Sequence, residues 1–144
     1  MPALVAHSGA RRVIAFDAWR PSVGVMAKLF SQNRLGAEAI FGTLRPEVPL
    51  QDQTVFAVDH VPCFDRDLIL NEEKIDTIVL TVGTTDPTIL NGLPAHVRHV
   101  VITDGPEAPP AAERDRLIVQ IISEGFSYDP NRSERNALLF RRLA

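Results

Sequence analysis

The stretch VFAVDHVP, residues 55–62, has the composition of a buried β-strand that ends in an acid, Asp59. The same pattern, an apolar run followed by aspartate, occurs as VIAFD at 13–17 and as VVITD at 100–104. Strands that are apolar on both faces are typical of parallel sheets covered by helices on both sides. The repeated pattern therefore predicts a three-layer α/β fold.

Helical spacing between these runs supports the same fold. After VIAFD, four apolar residues recur at the spacing of one helix face, namely Val23, Met26, Ala27 and Phe30. Gly36 follows as a candidate left-handed cap that would end this helix. The chain thus reads as strand, then helix, and the alternation continues along its length.

The remaining elements are predicted from composition and from the residues that interrupt helices and strands. The predicted strands cover residues 11–17, 37–44, 54–59, 76–83 and 98–104. A short helix is expected within 65–75, a helical turn over 87–91, and a helix after 111 with Leu117, Ile118, Ile121 and Ile122 on its core face and Gly125 near its end. The sequence therefore predicts a single Rossmann-like domain over 1–144, with a mostly parallel five-stranded sheet and a basic C-terminal helix at about 131–144.

Composition bounds the class of protein. The 144 residues are 45% hydrophobic and 23% charged, with a formal net charge of -3, which is typical of one globular domain. An acidic balance argues against a surface that is basic throughout and dedicated to nucleic acid. Cys63 is the single cysteine, and no apolar run approaches the length of a membrane span. We expect a cytoplasmic protein without membrane insertion.

Aspartates at the ends of three predicted strands suggest a metal site. Ligands of parallel sheets bind beyond the carboxyl ends of the strands, where Asp17, Asp59 and Asp104 would emerge together if their strands are parallel. Three carboxylates at one edge would attract Mn²⁺ or Mg²⁺ and, through it, a phosphate. The alternative is that each aspartate only caps a turn or a helix, for which this residue type is favoured locally.

The segment VGTTDP at 82–87 adds a candidate anion cradle. Backbone N–H groups near Gly83 and the hydroxyls of Thr84 and Thr85 would hold a phosphate before a helical turn. Asp86 and His60 are the candidate proton carriers beside such a site. The alternative reading is an ordinary capped turn followed by an unremarkable loop histidine.

Basic residues gather near the end of the chain. Four arginines stand after residue 130, at Arg132, Arg135, Arg141 and Arg142. One interpretation is a surface that binds nucleic acid or an acidic partner. The alternative is a solvated helix whose cations complement the helix dipole.

The three aspartate-terminated strands resemble the DHH phosphoesterase superfamily over residues 11–125. Family members begin with a His-x-Asp-x-Asp-Gly motif, which Asp17 matches, while Ala15 and Trp19 replace the histidine and the second aspartate. Asp59 looks like the single aspartate that ends a second family strand. The resemblance implies a parallel α/β domain that holds two Mn²⁺ or Mg²⁺ ions and cleaves phosphodiesters or pyrophosphates.

The third family motif, Asp-His-His, has two candidate positions. Asp104 is followed by Gly105 and Pro106 where the histidines belong, or else the segment 59–62, with Asp59 and His60, is a reduced form of that motif. Either assignment removes ligands that a two-metal mechanism needs.

Two functions remain open from the sequence. The first is a catalytically degenerate domain that acts as a binding or scaffold module for a nucleotide, a protein partner or a second copy of the chain. The alternative is a small metal-dependent phosphoesterase, with Asp17, Asp59 and Asp104 as ligands and His60 or Asp86 as the proton carrier.

Overall fold

The computed structural model describes residues 13–17, 20–34, 37–46, 56–57, 61–82, 87–104, 111–134 and 136–143. The chain divides into two units, Met1–Asp65 and Arg66–Ala144, where the sequence predicted one domain. Each unit has its own sheets and its own buried side chains.

The N-terminal unit combines one described helix with five short strands. They are β1 (Val13–Asp17), α1 (Arg20–Gln32), β2 (Ala37–Phe41), β3 (Thr43–Arg45), β4 (Phe56–Ala57) and β5 (Val61–Asp65). Strands β1 and β2 pair in parallel, and α1 between them packs on both, which confirms the predicted strand, helix and strand in this region. A second sheet has the order β3-β5-β4.

Helix α1 buries the end of its predicted apolar stripe. Phe30 is buried, Val23 and Met26 are partly buried, and Ala27 is exposed. The helix ends earlier than the Gly36 cap predicts, because Arg34 itself adopts the left-handed conformation at φ 55°. The Asn33 side chain reinforces this terminus by donating from Nδ2 to the Leu29 carbonyl at 2.9 Å.

Gly42 splits the predicted strand 37–44 into β2 and β3. Its N–H donates to the carbonyl oxygen of Asp17 at 2.9 Å, at the end of β1. A Cβ at this position would lie 2.5 Å from Cε2 of Phe64 and 3.0 Å from the carbonyl oxygen of Pro62. Glycine is therefore required here by the close approach of β5.

Strand β5 was not predicted, and it contains Pro62, a residue type that sheets accept only at edges, strand starts or bulges. The register explains why it is tolerated: β4 pairs antiparallel with Val61 and Pro62, whereas the parallel partner β3 begins only at Cys63. Pro62 therefore has a strand on one side only and costs the ladder little.

The C-terminal unit contains one described four-stranded sheet. Its elements are α2 (Arg66–Glu72), β6 (Thr77–Val82), a 3₁₀ turn (Pro87–Leu90), β7 (His99–Asp104), α3 (Ala111–Ser123), β8 (Phe126–Tyr128) and β9 (Ala137–Arg142). The strand order is β6-β7-β9-β8, with β6 and β7 parallel and both pairs involving β9 antiparallel.

One hydrophobic core stabilises this unit. Strand positions of one parity, together with Leu117 and Ile121 of α3, face inward, and the predicted core residue Ile122 is instead exposed. The buried residues of this core are Leu70, Leu80, Val82, Leu90, Leu93, Val97, Val100, Ile102, Leu117, Ile121, Phe126 and Phe140. Burial of an aliphatic or aromatic side chain contributes about 1.5–3 kcal/mol, so this cluster is the main stabilising element of the unit.

The predicted C-terminal helix at 131–144 is wrong. Ala137–Arg142 forms β9, which inserts between β7 and β8. Short apolar runs satisfy both helical and strand spacing, and here Leu138 and Phe140 alternate with the outward Leu139. The strand prevails because β7 offers an open edge for hydrogen bonding.

The predicted α/β class is confirmed, but the five-stranded parallel sheet is wrong. The described strands form sheets of two, three and four, and two of the three pairings in the largest sheet are antiparallel. Among the described residues, no helix is long and apolar enough to cross a membrane.

Candidate functional site

Strands β6 and β7 end side by side. In their parallel register Val82 pairs with Asp104, so both strands reach their carboxyl ends at the same level. The segment that begins at Gly83 leaves from one of these ends, and the segment that begins at Gly105 leaves from the other. The strand that precedes the predicted anion segment therefore ends beside Asp104.

Asp104 is held near the first turns of α3. Its Oδ1 lies 3.9 Å from Nη1 of Arg114, and both side chains are about 30% exposed. This separation is long for a hydrogen bond, so the pair interacts mainly through charge. The carboxylate consequently keeps acceptor capacity toward the solvent side of the sheet edge.

A buried arginine fixes the chain that connects β6 to β7. Arg66, at the start of α2, is only 1% exposed. Its Nη1 donates to the carbonyl oxygens of Ile89 at 2.7 Å and Asn91 at 2.6 Å, and its Nη2 donates to that of Gly92 at 3.0 Å. These three bonds satisfy carbonyls at the end of the 3₁₀ turn, which helical bonding leaves open.

The charge of Arg66 is balanced by its neighbour Asp67. Nε of Arg66 donates to Oδ1 of Asp67 at 2.8 Å, and Nη2 lies 2.7 Å from the same oxygen. Sequence reasoning did not single out this arginine. The sequence does contain one indication of its role. A cation at the first residue of a helix is unfavourable beside the positive end of the helix dipole, which suggests that another interaction keeps it there.

A second arginine fixes the same connection at its other end. Arg142, the last residue of β9, donates from Nε to the Val97 carbonyl at 2.9 Å and from Nη2 to the Pro94 carbonyl at 3.1 Å. Its guanidinium also lies over the ring of Phe126, 4.5 Å from the centroid. Arg66 and Arg142 together thus bind five backbone carbonyls within residues 89–97 of the connection between β6 and β7.

Of the three aspartates expected at one edge, two lie on different sheets and Asp59 lies outside the described residues. Asp17 ends β1 in the two-stranded sheet, and Asp104 ends β7 in the four-stranded sheet. The strand expected to end at Asp59 is present as β4, which runs antiparallel to β5. The single edge that motivated a shared metal site is therefore not formed by one sheet.

The metal and proton-transfer assignments themselves remain predictions. Asp59 and His60 lie outside the described residues, as do Gly83, Thr84, Thr85 and Asp86. Within the described parts of the chain, no three His, Cys, Asp or Glu side chains are grouped so that they could hold a metal ion. Cys63 is a free thiol, and its Sγ is 3.6 Å from the Thr43 hydroxyl.

Comparison of the chain with protein-family models, with curated proteins and with solved structures finds no match.

Proposed function

We propose that the protein is a nucleotide-binding module whose ligand sits at the carboxyl ends of β6 and β7. The observation that carries this proposal is the pairing of Val82 with Asp104, which ends two parallel strands at one level. Ligands of parallel α/β sheets bind in the crevice beyond such ends, because loops and helix starts converge there.

The residues at this edge suit a nucleotide. A carboxylate at a strand end accepts hydrogen bonds from ribose hydroxyls in nucleotide-binding α/β domains, and Asp104 is the candidate for that role. The neighbouring segment 83–86, Gly-Thr-Thr-Asp, supplies backbone N–H groups and hydroxyls of the kind that bind phosphate. Ribose and phosphate would then be recognised from adjacent strands.

We further propose that the module binds its nucleotide without hydrolysing it and serves as a scaffold for a protein partner or for a second copy of the chain. The support is the resemblance to the DHH phosphoesterases, in which metal ligands stand where this chain has Ala15, Trp19, Gly105 and Pro106. Loss of those ligands removes the clamp on attacking and leaving oxygens that two-metal hydrolysis requires.

Calorimetric titration of the full chain with ATP, AMP and adenosine tests the binding. Asp104→Asn should weaken ATP and adenosine alike by about tenfold or more, because the lost hydrogen bond has a charged acceptor. Asp115→Asn, which changes an exposed carboxylate on α3, is the matched control and should bind as the wild type does. Absence of nucleotide binding, or equal binding by Asp104→Asn, would refute the proposal.

Hydrolysis is measured in parallel with bis(p-nitrophenyl) phosphate and ATP in the presence of Mn²⁺ or Mg²⁺. We expect no turnover above that of the buffer. Turnover that Asp59→Asn or Asp104→Asn abolishes would overturn the non-catalytic assignment and establish the metal-dependent phosphoesterase instead.

A further inference from the structure

A basic cleft lies at the opposite end of β7 from Asp104. It has a volume of about 350 Å³ and is lined by Arg98, His99, Arg141, Arg142 and Leu143. We call this the arginine cleft. Strand β7 has six residues, so the cleft is roughly 16 Å from the carboxyl ends of the sheet. It is therefore separate from the edge to which we assign the nucleotide.

The strand register explains why the charges gather here. His99 pairs directly with Arg141, and the N–H of Arg142 donates to the carbonyl of Arg98 at 2.8 Å. Arg98 therefore stands opposite Arg142, and because side chains alternate along a strand, His99 and Arg141 stand opposite each other on the other face. Directly opposed side chains have Cβ atoms roughly 5 Å apart, and like charges at that distance repel.

The cleft contains one guanidinium that is already fixed in position. Arg142 is held by the Val97 and Pro94 carbonyls and by the ring of Phe126. These contacts occupy Nε, Nη2 and one face of the guanidinium. Its Nη1 makes no hydrogen bond to any side chain or backbone group that the structure describes.

The other two arginines supply charge that can move toward a ligand. Arg98 and Arg141 are exposed, and neither forms an ion pair with a carboxylate among the described residues. The residues that line the cleft include no acid that would neutralise them. An anion bound between Arg98 and Arg142 would relieve their repulsion and complete the coordination of Arg142.

We propose that the arginine cleft binds the phosphate group of a small phosphorylated molecule. Arginine matches a phosphate by donating two parallel N–H bonds, and three arginines around one cleft suit a dianion. The volume suits a phosphate with a sugar-sized substituent. The exposed side chain of Leu143, at the rim, offers an apolar contact for the remainder of the ligand.

The test is calorimetric titration of the full chain with inorganic phosphate, ribose 5-phosphate and a twelve-residue thymidine oligonucleotide at low ionic strength. Ribose 5-phosphate should bind more tightly than inorganic phosphate, and added NaCl should weaken both. The double variant Arg98→Gln and Arg141→Gln should lose about tenfold or more in affinity for each phosphate probe. Because neither side chain makes a described contact, the melting temperature should not fall.

The matched control is Arg116→Gln and Arg132→Gln, two exposed arginines outside the cleft, which should leave phosphate affinity unchanged. Equal loss in both double variants would show non-specific attraction and overturn the site. Failure of all three probes to bind would overturn it as well. Tighter binding by the oligonucleotide than by ribose 5-phosphate would refute the small-molecule source.

The variant Asp104→Asn distinguishes the arginine cleft from the proposed nucleotide site. This variant should bind ribose 5-phosphate in the arginine cleft as the wild type does. Loss of that binding in Asp104→Asn would place the phosphate at the carboxyl ends of β6 and β7 and refute the separate site.

Discussion

At the scale of single residues, the buried Arg66 joins the start of α2 to the chain between β6 and β7. Replacing Arg66 with Met removes three donors and leaves the carbonyls of Ile89, Asn91 and Gly92 without partners. We expect a loss in the free energy of unfolding on the order of 3 kcal/mol, measured by urea denaturation. Arg66→Lys should recover only part of this loss, since an ammonium cannot span three carbonyls as a planar guanidinium does.

Arg116→Met is the matched control for this prediction. Arg116 is exposed on α3, and its replacement should change stability by less than about 0.5 kcal/mol. If Arg66→Met proved as stable as Arg116→Met, the bonds of Arg66 would have no net role in folding.

Replacement of two glycines of the N-terminal unit by alanine should change the free energy of unfolding in opposite directions. Gly42→Ala places a Cβ against the ring of Phe64 and the Pro62 carbonyl and should destabilise the unit by about 1–3 kcal/mol. Gly24 lies within α1 with nothing within 4 Å, so Gly24→Ala should stabilise by up to about 1 kcal/mol. Thermal unfolding of the two variants measures both changes. A stabilising Gly42→Ala would show that β5 does not approach β2 as described.

At the scale of secondary structure, the end of α2 contains a conformation that lysine rarely adopts. Lys74 has φ 52°, and the next residue, Ile75, donates from its N–H to the Leu70 carbonyl at 3.0 Å. This is the bonding pattern of a helix that ends in a left-handed residue, for which glycine is preferred.

Lys74→Gly should therefore stabilise the C-terminal unit by about 1 kcal/mol, because glycine adopts this conformation without steric cost. Arg116→Gly, in the interior of α3, should have the opposite effect of about 1 kcal/mol. Differential scanning calorimetry of the two variants tests the pair. Destabilisation by Lys74→Gly would mean that the chain does not turn at this residue.

The sequence predicts elements well where local preference and tertiary context agree. β1, α1, β6, β7 and α3 lie within a few residues of their predicted bounds. β5 and β9 were missed because the local sequence does not show their pairing with β3 and β7, which lie well before them in the chain. Pro62 argues locally against a strand, and the spacing of Ala137, Leu138 and Phe140 fits a helix equally well, so the open edges of neighbouring strands decide both cases.

At the scale of the whole molecule, the C-terminal unit has the features of an independent folding unit. Every residue of its core cluster lies between Leu70 and Phe140, and the described bonds of Arg66 stay within the same unit. We expect a fragment of residues 64–144 to unfold cooperatively and to show the circular dichroism of a mixed helix and strand structure. A fragment without a cooperative transition would contradict this expectation.

The candidate site was partly accessible from the sequence. Asp104 and the segment 83–86 were expected on one edge, and the register of β6 with β7 places their strand ends together. The sequence could not show that Asp17 and Asp104 belong to different sheets, because strands of similar sequence do not reveal which strands they pair with. The arginine cleft was not predicted because Arg141 and Arg142, expected on a helix, are consecutive residues of strand β9 and lie beside Arg98 and His99.

The position of β9 has a consequence for synthesis on the ribosome. β9 occupies the centre of its sheet but is made last of the four strands, more than thirty residues after β7. At roughly 5–20 residues per second, the edge of β7 waits several seconds for its partner. During that time an apolar strand with unpaired backbone groups is open to other nascent chains. Translation speed between β7 and β9 should therefore affect the yield of folded protein.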